Sequence, residues 1–141
     1  MSSYLSIYVV PKRKSPEESK QHIILASYSR CTEMYQQFYN NINPVYVGNG
    51  EDKYTTIGKN EISEVLDSFD GKIRRMTATL TEYEKYAKDN PDYIQSIIEY
   101  KEEIAELQYW RNKASFIEDM ISDADYYDCD SSIEEVCCNI D

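Results

Sequence analysis

The strongest structural signal lies in residues 58–91, GKNEISEVLDSFDGKIRRMTATLTEYEKYAKDNP. Its apolar residues recur at alternating spacings of four and three, the heptad pattern of a helix that packs lengthwise along another helix. Gly71 lies inside the pattern at a penalty of about 1 kcal/mol relative to alanine. Since the register continues through it, we predict one helix and leave a kink there open. The heptad positions are Ile62, Leu66, Phe69, Ile73, Met76, Leu80, Tyr83 and Ala87.

A second helix is predicted to begin directly after Asn90-Pro91. Asn90 can cap its first turn, Pro91 suits the first helical position, and Asp92 favours the positive end of the helix dipole. This helix should run to about Ser122. The two legs of roughly 30 residues, each about 45 Å long, then form an antiparallel, coiled-coil-like hairpin over residues 58–122.

The second helix carries two apolar stripes on nearly opposite sides. One stripe can pack against the first helix, so the other stripe must be buried by a different element or by another chain. We expect that cover to be the protein's own β-sheet, and the alternative is an interface with another chain. Trp110 lies at the edge of the first stripe. The first stripe comprises Tyr100, Ile104, Leu107, Ala114 and Ile121, and the second Ile94, Ile98, Ala105, Tyr109, Phe116 and Met120.

Residues 1–57 read as a β-β-α-β-β region. Strands are predicted at 4–10 and 21–28, where apolar residues dominate and Pro11 ends the first. Their connection predicts an antiparallel hairpin with a long loop. Thr32 can cap a short helix that extends to about Asn41, and Asn43-Pro44 is predicted to stop it. Two short strands at 45–47 and 54–57 flank a turn at Gly48-Asn49-Gly50. The prediction is therefore an α+β protein: a small N-terminal antiparallel sheet with a short helix, then the helical hairpin, then an acidic tail at 123–141.

Charge is concentrated in this last segment. The chain has a net charge of −11, and residues 121–141 contribute −7 without any Lys or Arg. Such a segment repels nucleic acid and anionic membranes and attracts basic surfaces. It is either a solubilising tail or an element that docks on the body of the protein or on a partner, since it also holds Tyr126, Tyr127, Ile133, Val136 and Ile140.

No motif for catalysis, cofactor binding or metal binding is present in the sequence. It lacks a glycine-rich phosphate loop and a nucleophile elbow, and the single imidazole, His22, begins a predicted strand. The four cysteines do not have zinc-ligand spacing. The aspartates at 123–130 lack the glycine and glutamate of a calcium loop. We therefore expect a non-enzymatic protein without cofactor or metal.

A cytoplasmic location is expected, because no secretory signal or transmembrane segment is recognisable and the cysteines read as reduced thiols. The composition is rich in tyrosine, with 14 residues, and these sit among carboxylates rather than among Lys and Arg. That mixture favours a protein partner with a basic, partly apolar surface over direct contact with nucleic acid or membrane.

The predicted function is that of a protein-binding module. In its sharpest form it is a phage-type inhibitor whose acidic, tyrosine-rich surface mimics nucleic acid and occupies a basic site. The alternative is a structural or assembly component that oligomerises through the helical hairpin, so a homo-oligomer remains open. The candidate partner-binding residues are Asp123, Asp125, Tyr126, Tyr127, Asp128, Asp130, Tyr109 and Trp110.

Overall fold

The computed structural model describes residues 4–42, 54–126 and 132–140. It confirms the α+β class, with an antiparallel sheet, a short helix and two long helices that pack together. In chain order the elements are β1 (Tyr4–Pro11), β2 (Ile23–Ser29), α1 (Glu33–Asn41), β3 (Thr55–Thr56), α2 (Lys59–Ala87), α3 (Tyr93–Tyr126) and β4 (Ile133–Ile140).

The sheet has the strand order β2-β1-β4-β3, with antiparallel neighbours. β1 and β2 form the expected hairpin, in which Leu5 lies opposite Tyr28. On its other side, β1 pairs with β4 from Leu5 opposite Ile140 to Pro11 opposite Ile133. Each interior strand is therefore bonded on both edges, while β2 is an edge strand.

The C-terminal segment differs from the expectation of an acidic tail, because it supplies β4, an interior strand of the sheet. Val136, Cys138 and Ile140 alternate along β4 and join the hydrophobic core, as the two-residue period of a strand requires. The neighbouring carboxylates hid this alternation in the sequence. In the fold they are compensated by basic groups: Glu134 pairs with Arg13 at 3.2 Å and Glu135 with Lys20 at 2.8 Å.

The short elements before the hairpin agree with the sequence where the structure describes them. Thr32 caps α1, since its hydroxyl accepts a hydrogen bond from the Tyr35 N–H at 3.2 Å. The predicted strand at 54–57 is β3, which pairs with β4. The predicted strand at 45–47, the turn at 48–50 and the helix stop at Asn43-Pro44 lie outside the described residues.

The helical hairpin is confirmed, and α2 runs unbroken through Gly71. Asn90 caps the turn between the helices, because its side-chain oxygen accepts a hydrogen bond from the Asp92 N–H at 3.1 Å. Arg111 on α3 bridges to Asp70 on α2 at 3.1 Å. The α2 seam is fully buried at Ile62 and Phe69 and only half-buried from Ile73 onward. The base of the hairpin thus sits in the core, and its far half is stabilised mainly by helix-to-helix contact.

The core lies between one face of the sheet and the three helices. Leu5 and Ile7 of β1 meet Phe38 of α1, Phe69 of α2 and Ile117 of α3 there. Full burial of such side chains contributes about 1.5–3 kcal/mol each. This one-sided packing decides which face of α3 is covered and which remains open.

Candidate functional site

The described surface leaves large apolar side chains exposed in two places, at Ile23, Ile24 and Leu25 of the edge strand β2 and along one side of α3. The row on α3 is the longer of the two. We call Ile94, Ile98, Ala105, Tyr109, Phe116 and Met120 the α3 stripe. Phe116 is 68 % exposed, Ile94 and Tyr109 are each 53 % exposed, and Ile98 is 45 % exposed. Met120, at the end nearest the sheet, is half-buried against the core.

This exposure differs from the expectation that the protein's own sheet covers the second stripe of α3. The core instead receives the face that carries Leu107, Ala114 and Ile117. Consecutive residues on a helix point about 100° apart, so a helix that buries Ile117 turns Phe116 away. The first stripe is buried as predicted at Leu107, Ala114 and Ile121.

Aromatic rings pack beside the middle of the α3 stripe. Tyr28 from the edge strand β2 meets the ring of Trp110 edge-on, with centroids 5.6 Å apart, and Trp110 meets Tyr109 at 5.0 Å. The Lys113 ammonium lies 5.2 Å from the centre of the Tyr109 ring. Burial raises the pKa of Tyr28, and the nearby positive charge of Lys113 opposes this rise. These rings join the stripe to the end of β2.

The two aromatic candidates from the sequence have different environments. Tyr109 is exposed on the stripe, whereas Trp110 is half-buried between Tyr28 and Tyr109. Among the described side chains, the indole N–H of Trp110 is the buried polar group that lacks a hydrogen-bond partner. Trp110 therefore packs on the inner side of the ring cluster, between Tyr28 and Tyr109, and Tyr109 is the more accessible residue.

The acidic candidates are only partly described. Asp123 is exposed on α3, on the same side as Phe116 but two heptads beyond Tyr109, which is about 21 Å along the helix. Asp125 and Tyr126 belong to the last turn of α3, and Tyr127, Asp128 and Asp130 lie outside the described residues. The described part of the acidic candidate set thus stands apart from Tyr109 and Trp110.

A second cluster, on the other face of the sheet, was not found from the sequence. His22 stacks on Tyr54 with ring centroids 3.7 Å apart, and Tyr8 meets Tyr54 edge-on at 5.0 Å. Glu135 lies nearby and is held by Lys20 and Thr56. Burial alone would raise the pKa of Glu135, but these hydrogen bonds and the positive charge of Lys20 outweigh it and lower the pKa. Nothing local in the sequence linked His22 with Tyr54.

The two cysteines of β4 are expected to be unreactive. Burial raises the pKa of Cys137 to about 11 and that of Cys138 to about 12. Both thiols therefore stay protonated at neutral pH, and a protonated thiol is a poor nucleophile and a poor metal ligand. Cys31, by contrast, is exposed at the start of α1.

An open cleft of about 270 Å³ lies between Cys31 and the facing sides of α2 and α3. Glu33, Glu103 and Glu106 line it, and its one ammonium, Lys72, is already paired with Glu33 at 2.7 Å. The cleft is wide and mostly polar, whereas small-molecule sites are usually enclosed and apolar. The α3 stripe is therefore the stronger candidate site.

Within residues 4–42, 54–126 and 132–140, no three His, Cys, Asp or Glu side chains are grouped so that they could hold a metal ion. None of the helices described there combines the length and apolar character that a membrane span requires. The chain matches no protein-family model, no curated protein and no solved structure.

Proposed function

We propose that this protein acts as a non-enzymatic protein-binding module whose binding surface is the α3 stripe. The observation that carries the proposal is the exposure of Phe116, Tyr109, Ile98 and Ile94 on one side of a single helix. The stripe extends over about 39 Å. A row of exposed large apolar side chains with polar residues beside it is typical of an interaction surface.

The spacing of the stripe suits helix-to-helix docking. Its residues recur at intervals of four and seven, the pattern by which a helix presents anchors to a groove or to another helix. Ala105, near its middle, is small and lets a partner backbone come close. Burying each large side chain would contribute about 1.5–3 kcal/mol before the losses of association are subtracted.

A second candidate function is the occupation of a basic site on another protein, with nucleic-acid mimicry as its sharpest form. The specific observation in its favour is the set of exposed carboxylates beside the stripe, among them Glu102, Asp119 and Asp123. α3 carries eight acidic and three basic residues. A partner with a basic rim around an apolar centre would satisfy both features, and its affinity would fall steeply with added salt.

Site-specific photo-cross-linking in the native cell tests the proposal. A benzophenone amino acid replaces Phe116 in one variant and Thr81, an exposed residue of α2, in the control. We expect discrete cross-linked species from position 116, either with another protein or at twice the mass of the chain, and none from position 81. Equal and diffuse labelling from both positions would contradict binding through the stripe.

A further inference from the structure

We infer that the α3 stripe binds the same stripe of a second copy of this chain, with the two α3 helices antiparallel. This inference rests on the proposed function, because it names the partner of the same surface. The proposed assembly is a symmetric dimer, the commonest form of oligomer. Both copies use the same patch, so if residue i of one copy contacts residue j of the other, then j of the first also contacts i of the second.

The spacing of the stripe is symmetric along the helix. The intervals between Ile94, Ile98, Ala105, Tyr109, Phe116 and Met120 are 4, 7, 4, 7 and 4, which read the same in both directions. The centre of this pattern is level with Leu107. An antiparallel pair centred there therefore brings every residue of the stripe opposite a stripe residue of the other copy. A two-fold interface requires this kind of self-complementarity, whereas a binding site for an unrelated protein does not.

The side chains opposite each other also fit in size. In this register Ile94 faces Met120, Ile98 faces Phe116, and the small Ala105 faces the large Tyr109. Facing large and small residues interdigitate without voids. A parallel pair would instead place Phe116 against Phe116 and Tyr109 against Tyr109, which would hold the helices apart.

Charge complementarity favours the same arrangement. Glu102 and Lys113 project from one flank of the stripe and lie about 16 Å apart along the helix, too far to pair within one chain. Lys113 instead lies over the Tyr109 ring. In the antiparallel register Glu102 of each copy faces Lys113 of the other, which gives two attractive pairs per dimer.

The size of the contact predicts a weak dimer. A stripe about 39 Å long on a helix about 10 Å wide buries on the order of 400 Å² per chain, or about 800 Å² in total. Stable interfaces bury at least about 1,200 Å². We therefore expect a dissociation constant in the micromolar range. Because each copy carries a net charge of −11, added salt should strengthen the dimer by screening this repulsion.

Sedimentation equilibrium with charge-swapped variants tests the inference. The wild-type chain should shift with concentration from 16.6 kDa toward twice that mass. Glu102→Lys and Lys113→Glu should each weaken dimerisation about five- to tenfold, since each turns two attractive pairs repulsive. The double variant Glu102→Lys/Lys113→Glu should restore the wild-type constant to within about twofold.

Matched controls separate this effect from net charge. Glu84→Lys and Lys88→Glu make the same charge changes at exposed positions near the far end of the hairpin, and should leave the constant nearly unchanged. Glu102→Lys also lowers the overall repulsion, so a weaker dimer in that variant points to the local pair. Phe116→Ser should abolish the dimer while circular dichroism shows an intact fold.

Two results would overturn the inference in distinguishable ways. A monomer at every concentration excludes the second copy, yet leaves the proposed function standing if position 116 cross-links to a different protein. A dimer that persists in Phe116→Ser and ignores the charge swaps has its interface elsewhere. In that case the proposed function also fails unless the cross-link from position 116 identifies another partner.

Discussion

Phe116 and Ile117 are neighbours in sequence and opposites in environment. Phe116 is 68 % exposed on the α3 stripe, whereas Ile117 is 4 % exposed in the core. Both lie on the same long helix and have strongly apolar side chains. The difference shows that one face of α3 forms part of the core, while the opposite face is exposed.

The exposures of Phe116 and Ile117 differ because other elements of the fold cover only one face of α3. α2 packs along α3, and the sheet closes the core over its C-terminal half through Val136 and Cys138 of β4. No comparable layer covers the opposite face among the described residues. Substitutions on the two faces should therefore have very different effects on folding and on binding.

The largest effect is expected where β4 covers the core. Val136→Asp would bury an unpaired carboxylate, and we expect it to lower the free energy of unfolding by more than about 4 kcal/mol or to prevent folding. Ser132→Asp adds the same charge at an exposed position just before the strand. Urea unfolding checks the pair, and equal effects would show that β4 is not part of the core.

The next largest difference is expected between alanine substitutions at Ile117 and at Phe116. Ile117→Ala should lower the free energy of unfolding by about 2–5 kcal/mol, because it removes packed methylene groups and leaves a cavity. Phe116→Ala removes a larger side chain from the surface, and it should change the same quantity by less than about 0.5 kcal/mol. Chemical denaturation of both variants measures the difference. A larger loss for Phe116→Ala would mean that the stripe is covered within the monomer.

A smaller, pH-dependent effect is expected at Glu135. Its pKa is lowered in the folded protein, so its contribution to stability is present above the unfolded value near 4.5 and is lost as the pH falls through the lower folded value. Glu135→Gln should therefore have a lower Tm than the wild-type protein at pH 7. At strongly acidic pH the two Tm values should converge. Thermal unfolding across this range checks the sign, and a constant gap at all pH values would argue against titration of Glu135.

The smallest effect on folding is expected at the far end of the stripe. Ile98→Ser should change the free energy of unfolding by no more than about 0.5 kcal/mol. It should nevertheless weaken dimerisation, because Ile98 would face Phe116 of the second copy in the proposed dimer. Sedimentation at a fixed concentration measures this. Unchanged dimerisation would contradict the antiparallel register, in which Ile98 packs against Phe116.

Much of the helical architecture could be predicted because its causes are local. The heptad spacing from Ile62 to Ala87 and the Asn90-Pro91 restart specify two helices and the turn between them without reference to distant residues. The cap at Thr32 is local in the same sense. The β1–β2 hairpin also involves segments close together in the chain, so its pairing followed from the pattern.

The site was only partly predictable. The sequence showed two stripes on α3 and named Tyr109, but it could not show which stripe the sheet would cover. The cluster of His22, Tyr8 and Tyr54 depends on residues brought together from three separate segments, so no local pattern signalled it. Glu134 and Glu135 suggested a solvated tail because their partners, Arg13 and Lys20, lie near the other end of the chain.

By itself, then, the sequence determined the elements whose causes lie within a few turns: the two long helices, their antiparallel connection and the apolar spacing of α3. Only the tertiary structure decided that β4 sits between β1 and β3 and that Ile117 is covered while Phe116 is left open. The physical reason is that helix formation depends on neighbours in sequence, whereas strand order and burial depend on contacts between segments far apart in the chain.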